Sequence, residues 1–281
     1  MWRSLIYLDE DLPSSIALRF AAEQANKTGG RLQVLHVEDP GKKAAPGTGW
    51  VRRSWEQGLI KAGLDEVHRL LKTEKVNCPH ISSPKILVGS RDDEVLNELR
   101  HGMYDLYVEG YLNTSSTKDF LKLLNGKRFQ NTTCPVMLVK NMVPVHNILI
   151  LAGEAVPFEV LLPYFEKIYG TFDGQLDITM LYYRFGEEKE LVFQAREEAG
   201  SYLYKAEEML AAAGWEDVEC QVVQGTPEQT AVYMRNYGLV FSSFPSRQTP
   251  RAELLALLSN PVLLCKPKKA RSKKAGKGGL I

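Results

Sequence analysis

An α/β architecture with parallel sheets, built twice in succession, is what the sequence predicts. Three observations carry that expectation. Short apolar runs alternate with segments of helical periodicity along nearly the whole chain. The alternation restarts near residue 147. The two closing runs then match almost position for position: Cys134-Pro135-Val136-Met137-Leu138-Val139-Lys140 against Asn260-Pro261-Val262-Leu263-Leu264-Cys265-Lys266. Their prolines stand 126 residues apart, close to half of the chain's body, so a duplicated unit is the simplest reading.

The first unit opens with the strand Leu5-Ile6-Tyr7-Leu8, which stops at Asp9. Ile16, Ala17, Leu18, Phe20, Ala21 and Ala25 give residues 14–28 a helical face, with Pro13, Ser14 and Ser15 as the start and Gly29-Gly30 as the stop. Residues 32–37 form a second strand, ended by Asp39-Pro40, and residues 41–49 read as a loop. Leu59, Ile60, Leu64, Val67 and Leu71 mark a helix over 55–71. Ile86-Leu87-Val88 is a strand before Gly89, followed by a short helix through Val95, Leu96 and Leu99. Leu106-Tyr107-Val108 is a strand, 117–130 a helix and 135–139 the closing strand. Five strands alternating with helices imply right-handed crossovers and a parallel sheet covered on both faces.

The second unit begins with the strand at 147–151 and the helix at 158–169. A strand at 176–182 and a long helical pattern over 187–213, ending at Gly214, come next. Residues 218–223 form a strand leading into Gly225-Thr226-Pro227 and a helix. Leu239-Val240-Phe241, a helix over 250–258 and the run at 261–265 complete it. The expected divisions are 1–140, a linker at 141–146 containing Pro144, 147–266, and a basic tail over 267–281.

The 281 residues are 44% hydrophobic and 25% charged, as in an ordinary globular protein of about two domains. The longest apolar runs fall well short of the ~20 residues of a membrane span, which speaks against membrane insertion. The short run ending at Asp9 is not a signal-peptide core. Cys78, Cys134, Cys220 and Cys265 form no CxxC pair and suit a reducing cytoplasm. The net charge of +1 hides an asymmetry, because the stretch from Lys266 onward holds seven basic and no acidic residues. The remainder is mildly acidic and a poor nucleic-acid surface; the tail reads first as a solubilising end, with weak, salt-sensitive affinity for phosphates or anionic lipid as the alternative. The tail is Lys-, Gly- and Ala-rich and reads as disordered.

The repeat resembles the universal stress protein domain, here in tandem. The residues carrying the resemblance are the run from Leu5 to Asp9, Leu35-His36-Val37, Gly89, Tyr104-Asp105-Leu106-Tyr107-Val108-Glu109-Gly110 and Cys134-Pro135-Val136. They span nearly all of residues 1–140. Residues 147–266 match through element order and the closing strand. The resemblance implies Rossmann-like, doubly wound sheets of five parallel strands. It also implies antiparallel pairing of the closing strands, which in a tandem chain gives an intramolecular pseudo-dimer, and, in one branch of the family, ATP at the carboxyl edge of the sheet.

The nucleotide-binding members carry Gly-x-x-Gly, nine residues, then Gly-Ser or Gly-Thr. Glycines there let backbone N–H groups close around phosphates. Gly110 matches the first glycine and Asn113 falls at the second, but the final pair falls on Leu123-Leu124. Gly126 supplies a turn only in a shifted register. Thr114, Ser115, Ser116 and Thr117 read as the cap of the helix from about Thr117. Asp9 matches the family's first-strand acid near the nucleotide, and Val37 the second-strand edge that meets the base. The second unit has Ala152-Gly153-Glu154 in place of the acid, Ser242-Ser243 without glycine after its fourth strand, and an interval shorter by six residues. No ATP site is expected there.

His36, His68, His80, His101 and His146 make no HxxxH or HExxH spacing, so no metal is expected. Gly89-Ser90-Arg91 is not a nucleophile elbow. The sequence therefore reads as a non-enzymatic tandem protein of this family, acting in stress response or signalling through contacts with an unidentified protein partner. It needs no cofactor. The alternative is a weak ATP or AMP sensor using only the first half, at Asp9, Val37, Gly110 and Asn113.

Overall fold

The computed structural model describes residues 1–40, 49–112, 116–153, 156, 158–245 and 247–266. The first half runs β1 (Arg3–Tyr7), α1 (Leu12–Thr28), β2 (Arg31–Glu38), α2 (Trp50–Thr73), β3 (Ile81–Val88), α3 (Arg91–His101), β4 (Leu106–Gly110), α4 (Thr117–Leu124), α5 (Lys127–Gln130) and β5 (Val136–Val139). The second runs β6 (Asn147–Ala152), α6 (Phe158–Tyr169), β7 (Asp177–Phe185), β8 (Val192–Gln194), α7 (Ser201–Ala212), β9 (Val218–Gly225), α8 (Pro227–Tyr233), β10 (Leu239–Ser243), α9 (Pro250–Leu257) and β11 (Val262–Cys265).

Local chemistry fixes the helix ends. Asp11 caps α1 by accepting from the Ser14 N–H at 2.8 Å, and Gly29, at φ +66°, ends it in the left-handed region that glycine adopts without strain. Thr226 and Gln229 form a reciprocal capping box at the start of α8, with Pro227 in its first turn.

Among the described residues all eleven strands join one sheet, ordered β3-β2-β1-β4-β5-β11-β10-β6-β7-β9-β8. Neighbours are parallel except at β5–β11 and β8–β9. Each half has the same doubly wound order, and the closing strands meet antiparallel with Val262 opposite Leu138 and Leu264 opposite Val136. The apolar edges of β5 and β11 thereby satisfy each other's backbone groups. The side chains of the seam alternate between two cores. Met137, Val139, Leu263 and Cys265 join Ile6, Val34 and Phe165 on one face. Val136, Leu138, Val262 and Leu264 join Tyr7, Leu35 and Phe120 on the other.

Two lysines cross the seam reciprocally. The Lys140 amine donates to the carbonyls of Leu255 (2.8 Å), Ala256 (3.3 Å) and Leu258 (2.9 Å) at the end of α9. Lys266 donates to the carbonyl of Phe129 at the end of α5 and to Thr132. Each places a cation on the carbonyl end of a helix of the other half, where the unpaired carbonyls favour positive charge. Burial pulls the Lys140 ammonium down to a pKa of about 7.

Two expectations need correction. Residues 187–213 are not one long helix: they contain β8, a 3-10 turn over Arg196–Ala199 and α7. Gly200, at φ +58°, breaks the helix, and Val192, Phe193 and Gln194 pair with the outer edge of β9 as a sixth strand. The helix over 117–130 likewise divides at Asn125-Gly126 into α4 and α5. The tail over 267–281 lies outside the described residues.

Candidate functional site

Strand order in the first half reverses between β1 and β4, so their carboxyl ends frame the crevice in which doubly wound sheets take ligands. Asp9, Val37 and Gly110 stand at the carboxyl ends of the adjacent strands β1, β2 and β4. Asn113, Thr114 and Ser115 lie outside the described residues. Ser116 is the N-cap of α4, its hydroxyl accepting from the Asp119 N–H.

Each of the three placed residues is committed to the fold. Val37 is buried among Leu5, Tyr7 and Leu35 and is paired with Leu87 of β3. A Cβ added to Gly110 would lie 2.1 Å from the Pro13 carbonyl oxygen, so this glycine admits the first turn of α1 onto β4. Asp9 accepts from the Tyr7 hydroxyl at 3.3 Å and the Glu10 N–H at 3.0 Å, while its own N–H donates to Ser14 Oγ at 2.8 Å.

An internal ion network lies at the carboxyl end of β4. Glu109, the residue before Gly110, is a buried carboxylate. Its Oε1 accepts from Arg91 Nη2 and from Arg128 Nη2, each at 2.8 Å, and its Oε2 accepts from the Tyr107 hydroxyl at 2.6 Å. Arg128 also donates to Asp92 at 2.8 Å, and the Arg91 guanidinium lies 3.8 Å from the centre of the Tyr7 ring. Burial pushes the Tyr107 phenol far above its usual range, and the Glu109 charge adds to this. Burial opposes the Arg128 charge, but Tyr107, Glu109 and Asp92 outweigh it and keep that guanidinium charged. Both arginines at the crevice are therefore already neutralised by acids. The groove beside them, about 370 Å³, includes Asp92 and Asp119 in its lining.

In the second half the corresponding end of β10 is plugged from above. Arg251 of α9 donates to Ser242 Oγ at 3.1 Å and to the Ser243 carbonyl at 2.8 Å. Ser242 in turn donates to the Leu151 carbonyl of β6.

Sequence reasoning did not anticipate the Glu109 network or a second cluster. Asp9, His36 and Glu66 bring a carboxylate, an imidazole and a second carboxylate within 4.8 Å of one another. His36 and Asp9 were discoverable only as residues near the carboxyl ends of adjacent strands, because the β1–β2 register sets Asp9 beside Val37 and not beside His36. Glu66 was not, since it arrives from α2 and no sequence spacing links it to the strands.

No family model matches this sequence, and no curated protein does. Solved structures do match. A universal stress protein from Archaeoglobus fulgidus shares 16% identity, covers 94% of this chain and 98% of its own, and superposes with a TM-score of 0.63. A universal stress protein from Lactobacillus plantarum (15% identity, TM-score 0.36) covers 50% of this chain and 97% of its own. One from Arabidopsis thaliana, solved with AMP bound (18% identity, TM-score 0.29), covers 50% of this chain and 92% of its own. The fold of this chain is that of the universal stress proteins, with the full-length likeness to the Archaeoglobus protein spanning both halves.

Proposed function

We propose that the chain works as a tandem universal stress protein, in stress response or signalling, through protein contacts and without catalysis. The observation that carries this reading is the Glu109 network. A nucleotide's phosphates need unpaired cations or open backbone N–H groups. At the β1–β4 crevice both arginines are held by Glu109 and Asp92. A buried carboxylate also stands directly before Gly110, where it repels phosphate.

Among the described residues no helix is long and apolar enough to cross a membrane. A cytoplasmic setting is part of the proposal and rests on four unpaired thiols.

A second reading, a weak ATP or AMP sensor confined to the first half, is favoured by one observation: Asp9, Val37 and Gly110 do end the three neighbouring strands β1, β2 and β4. Isothermal titration with ATP, AMP and cyclic dinucleotides separates the two. The first reading expects no binding at submicromolar affinity, because losing two charge-assisted hydrogen bonds weakens binding by about a hundredfold or more. Submicromolar ATP binding abolished by Asp9→Ala would establish the second.

A further inference from the structure

We propose that Asp9, His36 and Glu66 form a binding site for a divalent transition-metal ion of the Zn²⁺ class, with Glu38 as a fourth donor. His36 and Glu66 lie outside the Glu109 network, and Asp9 touches it only through the Tyr7 hydroxyl.

The histidine gives the direction. His36 is buried, at 4% exposure. Its Nδ1 lies 2.9 Å from the Leu8 carbonyl oxygen, which can only accept, so Nδ1 carries the hydrogen. That leaves Nε2 as the nitrogen turned toward the carboxylates, with Glu38 Oε1 at 3.4 Å. Histidines that ligate metals are oriented in this way, one nitrogen donating to a backbone carbonyl and the other free to coordinate.

The carboxylates have no Lys or Arg partner: among the described residues no lysine or arginine forms an ion pair with Asp9, Glu38 or Glu66. A cation between them would neutralise the facing carboxylates.

The backbone is arranged for the approach. Gly63 of α2 packs onto β2: a Cβ there would lie 2.8 Å from Glu38 Oε1 and 2.9 Å from His36 Cδ2. Glu66, one helical turn further, is thereby brought down to the strand ends. Glu66 also borders a groove of about 360 Å³ between α1 and α2, whose lining includes Glu10, Asp11, Glu74 and Arg69. One imidazole with two or three carboxylates suits Zn²⁺, Mn²⁺ or Co²⁺ better than Mg²⁺ or Ca²⁺, which prefer oxygen ligands alone.

The test uses the untagged full-length chain, stripped with chelator and titrated with ZnCl₂ by calorimetry, with melting temperature followed in parallel. The expected result is one equivalent bound with Kd of about 1 µM or tighter, and a rise in melting temperature that excess Mg²⁺ does not reproduce. Glu66→Gln keeps the side chain's shape and removes one repelling charge. It should melt at or above the metal-free wild type, yet bind Zn²⁺ at least about tenfold more weakly. Asp9→Asn should weaken binding likewise and serves if the first variant fails to fold. Absence of stoichiometric binding overturns the proposal. Binding that both variants leave unchanged overturns it too, by placing the ion elsewhere.

Discussion

Replacing Lys140 with methionine tests how the two halves are held together. The lysine is buried at the seam and donates to three carbonyls at the end of α9. Burial lowers its pKa from 10.5 to about 7, whereas in the unfolded chain it regains its ordinary value. Between those two values the unfolded state binds more protons at this site than the native state, so stability rises with pH. The contribution is complete above 10.5 and is lost as the pH falls through about 7. From pH 7 to pH 9 the site adds about 2 kcal/mol to wild-type stability. Lys140→Met has no titrating group there and gains nothing. Every other titration is common to both proteins and cancels in the difference. Urea unfolding at pH 7, 8 and 9, followed by far-UV circular dichroism, gives that difference directly. It should grow by about 2 kcal/mol in favour of wild type. A difference that does not change with pH would refute the reasoning: the three carbonyls would then hold the ammonium against desolvation.

Arg128→Ala strips a buried acid of its partner and should cost about 3 kcal/mol in urea unfolding; an unchanged midpoint would show that Arg91 alone satisfies Glu109. Gly110→Ala drives a methyl group into the Pro13 carbonyl, 2.1 Å away, and should cost about 1–3 kcal/mol, read as a fall in melting temperature. The thiols should be sluggish. Burial pushes Cys134 up to about 12, and burial with the Glu207 charge pushes Cys220 up to about 11. At pH 8 even Cys220 is then about one part in a thousand thiolate. Ellman's reagent should label the native protein slowly and Cys220, the one thiol not fully buried, first; rapid labelling of Cys134 would contradict the packing. Truncation after Pro267 should leave the melting temperature unchanged while removing low-salt retention on an anionic matrix, since the removed residues carry most of the seven positive charges. A large fall in melting temperature would mean that the tail is packed.

The duplicated α/β order, the capped ends of α1 and the matching closing strands were legible in the residues themselves. They depend on local rules: period-two and period-3.6 burial, a proline and serines at a helix start, glycine at its stop; that Asp11 is the cap came from the structure. The antiparallel seam followed from the same source once the resemblance was drawn, because two apolar closing strands leave edges that must be covered. The break at Gly200 and the capture of β8 by β9 were not legible. The helical pattern over 187–213 is real, but the open edge of β9 offered residues 192–194 ladder hydrogen bonds that only the assembled sheet supplies.

The site divides in the same way. The resemblance pointed to Asp9, Val37 and Gly110 near three strand ends, and to a phosphate-binding motif of which Gly110 keeps the first glycine while Asn113 and Leu123-Leu124 replace the rest. It could not show that Gly110 is needed for Pro13, that Arg91 and Arg128 converge on Glu109, or that Glu66 descends beside His36 and Asp9. Those juxtapositions join residues 18, 19, 30 and 97 positions apart. What decides them is the path of each helix across the sheet, and thus packing, which no local periodicity encodes.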